Sequence, residues 1–206
     1  MKEMRLLGKR VVLDECPVLM SYTPDADFER VWQVMAGEWK YEDGYLVGSC
    51  PGNYGGILFS RENYDCDVIF SFTAKTVLPA TRDVNAVFCA HWDEETDYLG
   101  NAYVVGLNGW YEGKSGIERN PETLVRTLTG AYTYTPGAEV RIVTGIINGH
   151  SFLYADDVLV SELIDPNAIH GGHVGFSPYC TKLAIRDIEV RRAVYHDFPQ
   201  TYDPEF

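Results

Sequence analysis

The feature that most constrains this chain is a succession of short β-branched and aromatic runs, broken by Gly, Pro, Asn and Asp, with no sustained helical periodicity from end to end. In "CDVIFSFTAKT" alternation sends Val68, Phe70, Phe72 and Ala74 one way and Asp67, Ile69, Ser71 and Thr73 the other, which predicts one buried face. Asp43-Gly44, Asn148-Gly149 and Asp156-Asp157 sit between such runs and mark hairpins. "WQVMAGEWKYEDGYLVGSC" therefore reads as a meander. In "TKLAIRDIEVRRAVY" the imperfect alternation of Ile185, Ile188 and Val190 predicts a bulge. The best helical candidate, "PDADFERVWQVM", has Asp25 or Asp27 as a cap but soon meets Gly37, so a single turn is expected. About a dozen strands without crossover helices predict an all-β, two-sheet antiparallel sandwich. One domain over residues 1–206 is expected, with 195–206 a polar surface tail.

Charge narrows the partners. Thirty acidic residues against 17 basic ones give a formal net charge of -13, which opposes nucleic acid and anionic membrane surfaces. Neutral or cationic small ligands are the natural partners, sugars among them, and pairing with a second copy stays open. No apolar run approaches the roughly 20 residues of a spanning helix. "MKEMRLLGKRVVLDE" lacks the apolar core of a signal peptide, so the chain reads as cytoplasmic. Cys16, Cys50, Cys66, Cys89 and Cys180 are widely spaced and read as buried reduced thiols.

The order of motifs carries a resemblance. "GEWKYEDGYLVGS" is similar to an opening W-x-x-x-D-G-x-L strand pair, and "GGILFSRENYDCDVIFSF" to a G-x-L-x-T-x-x-x-Y-x-D-F-x-L-x-F-x-F segment. "NAVFCAHW" stands where an N-S-G-x-x-F-R strand is expected, and "GHVGFSPYCTKLAIRDIEVRR" is similar to closing G-x-I-G-L and V-x-F-R-N-I strands. In this order the chain resembles the concanavalin A-like (lectin/glucanase, laminin G-like) jelly roll, and within it the 3-keto-disaccharide hydrolase and YesU-like families. The resemblance implies a carbohydrate-active protein that hydrolyses or eliminates a small 3-keto-glycoside on the concave sheet face. One departure concerns the chemistry: Val104 or Val105, and Asn108, stand where the hydrolases carry acids.

Two stretches could carry a site. In "HWDEETD", His91 suits a general base or metal ligand, Trp92 a substrate contact, and Asp93, Glu94 and Asp97 could supply oxygens to a divalent metal such as calcium. The plainer reading of those carboxylates is a solvated loop closing a hairpin. In "NAYVVGLNGWYEGKSGIER", alternation groups Tyr103, Val105 and Leu107 against Val104, Gly106, Asn108 and Trp110, and Gly106 would leave a slot beside Asn108. From Asn108 the chain is expected to leave the sheet as a loop of rings and charges. Trp110 or Tyr111 would stack on a sugar while Glu112, Lys114, Glu118 and Arg119 bind hydroxyls.

Tyr103, with Asn53 and Tyr54 of "PGNYGG", completes the substrate-binding set. A keto group acidifies the adjacent C–H, so His91 could start an elimination whose enolate Lys114 or Arg119 would stabilise. A paired-carboxylate strand, which a retaining glucanase needs with its acids about 5 Å apart, is missing: "DIEV" offers only Asp187 and Glu189. His150 and His196 are expected to be exposed, and His170 and His173 to bound a flexible loop. The rival readings are a non-catalytic carbohydrate-binding sandwich and an accessory subunit.

Overall fold

A computed structural model describes residues 2–50 and 55–199. Among them are no α-helices, only three single turns of 3-10 helix, one of which, Phe28–Arg30, stands where a single turn was expected. One large sheet has seven strands, in the order Arg126–Thr129, Ser115–Asn120, Ala102–Leu107, Val84–Ala90, His173–Phe176, Ile57–Ser60 and Trp32–Ala36. The other runs Val158–Ile164, His150–Ala155, Val140–Ile147, Val68–Thr76, Lys182–Arg192, Tyr45–Ser49 and Glu38–Glu42, with Val18–Tyr22 on the far half of the long strand Lys182–Arg192. All their pairings are antiparallel, giving the jelly-roll sandwich that the strand pattern predicts.

Local chemistry sets the turns. Asp43 and Gly44, Asn148 and Gly149, and Asp156 and Asp157 all take positive φ, the geometry of two-residue hairpins whose twist matches the strands. The expected bulge lies between Arg186 and Glu189, where Asp187 has φ 52°. The sheets enclose Phe70, Phe72, Phe88, Tyr103, Leu153, Phe176 and Trp32, all fully buried.

Four expectations are corrected. Residues 32–50 are not one meander: Gly37 turns the chain from the seven-stranded to the eight-stranded sheet, at φ 80° and so close to Ser49 that a Cβ would sit 2.6 Å from its carbonyl oxygen. "KSGIER" is not loop but strand Ser115–Asn120, paired with Ala102–Leu107. The strand Val68–Thr76 is covered on both faces, because the hairpin Glu3–Leu6 and Lys9–Val12 lays Met4, Leu6 and Val11 on Ile69, Val143, Ile147 and Phe152. His150 is buried, with Nε2 2.9 Å from Glu162 Oε1, since that hairpin lies over it. His196–Asp197 adds a third strand to the hairpin, so the tail is tied down as far as that pairing.

Candidate functional site

The strand Val84–Ala90 runs through the middle of the seven-stranded sheet, and its register against Ala102–Leu107 places the two stretches singled out above. Leu107 pairs with Val84 and Tyr103 with Phe88, while the His91 N–H donates to Asn101 O at 2.9 Å. The loop from Asn108 therefore leaves at the Val84 end, and His91 lies at the other. His91 lies six residue steps along the strand from Asn85, roughly 20 Å at about 3.3 Å per residue. His91 is thus not brought together with Lys114 or Trp110 around one small sugar.

At the Val84 end the outer surface is polar and aromatic. Asp83 is 1% exposed at φ 62°; Arg82 Nε donates to its Oδ2 at 2.8 Å and Asn85 Nδ2 to its Oδ1 at 3.4 Å. Burial pushes the Asp83 carboxyl above its ordinary value, against the lowering effect of Arg82 and Asn85. Asn85 folds over Gly106, where a Cβ would meet its Oδ1 at 1.8 Å, and that buried oxygen has no hydrogen-bond partner among the described residues. Such an unpaired acceptor costs about 1–3 kcal/mol unless something donates to it.

Beside this pair, Trp110 Nε1 donates to Glu118 Oε2 at 3.0 Å, and Arg126 Nη1 lies 3.3 Å from the same oxygen. Lys114 Nζ stands 4.4 Å above the Tyr111 ring, with Glu112 3.7 Å away. Asn108, at φ 52°, donates through Nδ2 to Tyr134 O, so its side chain braces the loop. Arg82, Asn108, Trp110, Tyr111 and Glu112 line a cavity of about 330 Å³.

At the opposite end a short hairpin, Trp92–Asp93 and Tyr98–Leu99, folds back on the outer face. Trp92 meets Phe59 edge-on at 6.4 Å, and Leu99 packs with Val87 and Ala90. His91, Trp92, Asp93, Tyr98 and Asn120 border a cavity of about 570 Å³. Asp93 Oδ1 accepts from the N–H groups of Glu95 and Thr96, and its carboxyl is held below its ordinary value chiefly by the Thr96 hydroxyl, then by the Glu95 N–H. Asp93 thus closes its own turn, while Glu94 and Asp97 are exposed. Among the described residues no three His, Cys, Asp or Glu side chains gather as a metal site requires.

Two residues expected at the ligand lie elsewhere. Tyr103 is fully buried between the sheets, stacked on Phe88 at 5.5 Å, and its hydroxyl donates to Asp165 Oδ2 at 2.7 Å. Arg119 follows the same inward alternation: Nη1 donates to Asp165 Oδ2 and to Asn167 O, both at 2.9 Å, and Nε lies 2.9 Å from Glu122. Burial alone would raise the Asp165 carboxyl, but Tyr103, the Asn167 N–H and Arg119 together hold it below its ordinary value. These residues anchor the loop after Val158–Ile164. Asn53 and Tyr54 lie outside the described residues. Asp83, Asn85 and Arg126 were not anticipated; only the pairing of Asn85 with Gly106 reveals them, and strand alternation does not carry register.

No family model matches the chain, and no curated protein does. Solved structures do. A protein of unknown function with a galectin-like fold from Bacillus subtilis is 15% identical, with TM-score 0.70 over 86% of this chain and 97% of that one. The carbohydrate-binding module CBM66 from Bacillus subtilis is 13% identical, with TM-score 0.62 over 78% of this chain and 94% of that one. The β-glucanase of Bacillus licheniformis is 10% identical, with TM-score 0.56 over 84% and 97%. The chain is a concanavalin A-like, galectin-like jelly-roll sandwich.

Proposed function

We propose that this protein binds a neutral glycan on the outer face of its seven-stranded sheet, at the end formed by Asp83, Asn85, Trp110 and Glu118. The observation that carries the reading is the cavity lined by Arg82, Asn108, the half-buried Trp110, the exposed Tyr111 and Glu112, whose Gly109 backs onto the buried Asn85 side chain. The apolar face of a sugar ring would lie on Trp110 or Tyr111 while Arg82 and Glu112 take its hydroxyls. Two structural neighbours are a carbohydrate-binding module and a glucanase, which accords with a sugar as ligand. Cys16, Cys66, Cys89 and Cys180 are reduced, which accords with a reducing, cytoplasmic setting.

A 3-keto-glycoside hydrolase or lyase is the second reading. It rests on the motif resemblance and on the buried Asp83 carboxyl at the same end, whose raised affinity for a proton suits an acid. His91 is too far along the strand to act there with Lys114. Calorimetric titration with a panel of neutral oligosaccharides tests the binding reading. Binding that W110A and N85A each weaken by about 10-fold, or about 1.4 kcal/mol, is expected; no binding across the panel, or binding indifferent to both variants, contradicts it. Incubation with 3-keto-glycosides, wild type against D83N, tests the second by product release.

A further inference from the structure

We infer that a cavity at one end of the sandwich, sharing no lining residue with the surface proposed for sugar, is a site for a small monocarboxylate held by Arg61 and Arg192. The cavity, about 400 Å³, opens between the loop 61–66 and the strand Val18–Tyr22, beside the end of Lys182–Arg192. Its walls are mixed: Met20, Val31 and Tyr64 give an apolar side, and three guanidinium groups, those of Arg30, Arg61 and Arg192, give a cationic one.

The charge pattern makes this cavity unusual for this chain. With 30 acidic residues to 17 basic ones, nearly every arginine finds a carboxylate. Among the described residues only Arg61, Arg141 and Arg192 have none within 4.0 Å. Arg141 is accounted for by hydrogen bonds to Ser71 Oγ and Asp187 O. The other two both line this cavity. Among the described residues Arg61 gives only Nε, to Glu29 O, leaving its two terminal nitrogens for a ligand, and no hydrogen bond or ion pair engages the Arg192 guanidinium. Arg30 is already matched by Asp25.

The frame is fixed before any ligand arrives. Arg61 N–H donates to Val31 O at 2.8 Å, and Tyr64 and Gly172 exchange both backbone hydrogen bonds at 2.9 Å. Tyr64 is buried there, which pushes its hydroxyl up to about 12, with the Glu62 charge adding to the effect. A planar carboxylate matches the fork of a guanidinium with two parallel hydrogen bonds. Glu62 and Asp65 also border the cavity, and their repulsion grows with ligand charge, which disfavours a phosphate dianion relative to a single carboxylate. Leu19, 38% exposed at the mouth, and the apolar wall favour an acid with a hydrophobic body.

Titration of the full chain with benzoate, glucuronate and inorganic phosphate at matched ionic strength, followed by backbone amide shifts, tests the site. Both carboxylates are expected to shift amides of residues 61–66 and 192, phosphate to bind more weakly than either, and the benzoate-to-glucuronate ratio to separate a hydrophobic acid from a sugar acid as the source. R192A should weaken binding by about 10-fold, R192K by less because charge survives without the fork, and E62Q should strengthen it. W110A should change nothing here, so failure of this site and failure of the sugar reading are distinguishable. Arg192 is exposed, so its variants should keep the wild-type fold, checked by circular dichroism. No response to either carboxylate, a response untouched by R192A and R192K, or tighter binding of phosphate overturns the proposal.

Discussion

The two outer faces of the sandwich are finished differently. On the eight-stranded sheet, Ile69, Val143, Ile147 and Phe152 are roofed by Met4, Leu6 and Val11, so the apolar surface of that face is spent on folding. On the seven-stranded sheet, the hairpin 92–99 covers only the half around Phe59, Val87 and Ala90. The half around Asn85, Gly106 and Glu118 keeps half-buried or exposed rings and an acceptor without a donor. Interaction energy left unused by the fold is available to a ligand, and here it lies on one half of one face.

Mutation separates the two faces, and the largest effect should come from the roofed one. Phe152→Ala should lower stability by about 3–5 kcal/mol through the cavity it leaves, with sugar affinity unchanged in the folded fraction; chemical denaturation and calorimetry read the two separately. Asp165→Ala leaves the Tyr103 hydroxyl and Arg119 without their shared acceptor. A loss of roughly 3 kcal/mol is expected, again with sugar binding intact, which would identify Arg119 as an anchor rather than a ligand contact.

On the open face the balance should reverse. Gly106→Ala drives a methyl into Asn85 Oδ1 and should cost about 1–3 kcal/mol while abolishing sugar binding. Asp83 gives the smallest effect. Its folded carboxyl binds a proton more tightly than the unfolded one, so between the two values the native state holds more protons and stability falls as pH rises through that window. D83N removes this slope. Denaturation midpoints from about pH 3.5 upward should therefore move in favour of the variant as pH increases, and parallel profiles would contradict the buried setting of Asp83.

Much of the strand layout is legible in the sequence because hairpin chemistry is local. Asp43-Gly44 and Asn148-Gly149 announce their φ values, and the broken alternation at Ile185 and Ile188 announces the bulge at Asp187. Alternation also separates Tyr103, Val105 and Leu107, which face the core, from Val104 and Gly106. It does not say how far apart two residues on one strand face lie in relation to a ligand. His91 and Trp110 both belong to strand ends of one sheet, yet pairing register puts them at opposite ends. "KSGIER" hides a strand because one glycine and three charges mask its alternation, and placing Arg119 on that strand turns it inward. The roof over Ile69 depends on contacts between residues far apart in the chain, from Met4, Leu6 and Val11 to Ile69, which no local pattern carries.

Amide chemical-shift mapping during an oligosaccharide titration reports directly which face holds the sugar. Shifts are expected to concentrate at Asp83, Asn85, Gly106, Trp110, Glu118 and Arg126, with the amides of Ile69, Val143 and Phe152 unmoved. Shifts centred on the roofed face, or on the His91 end alone, would contradict it.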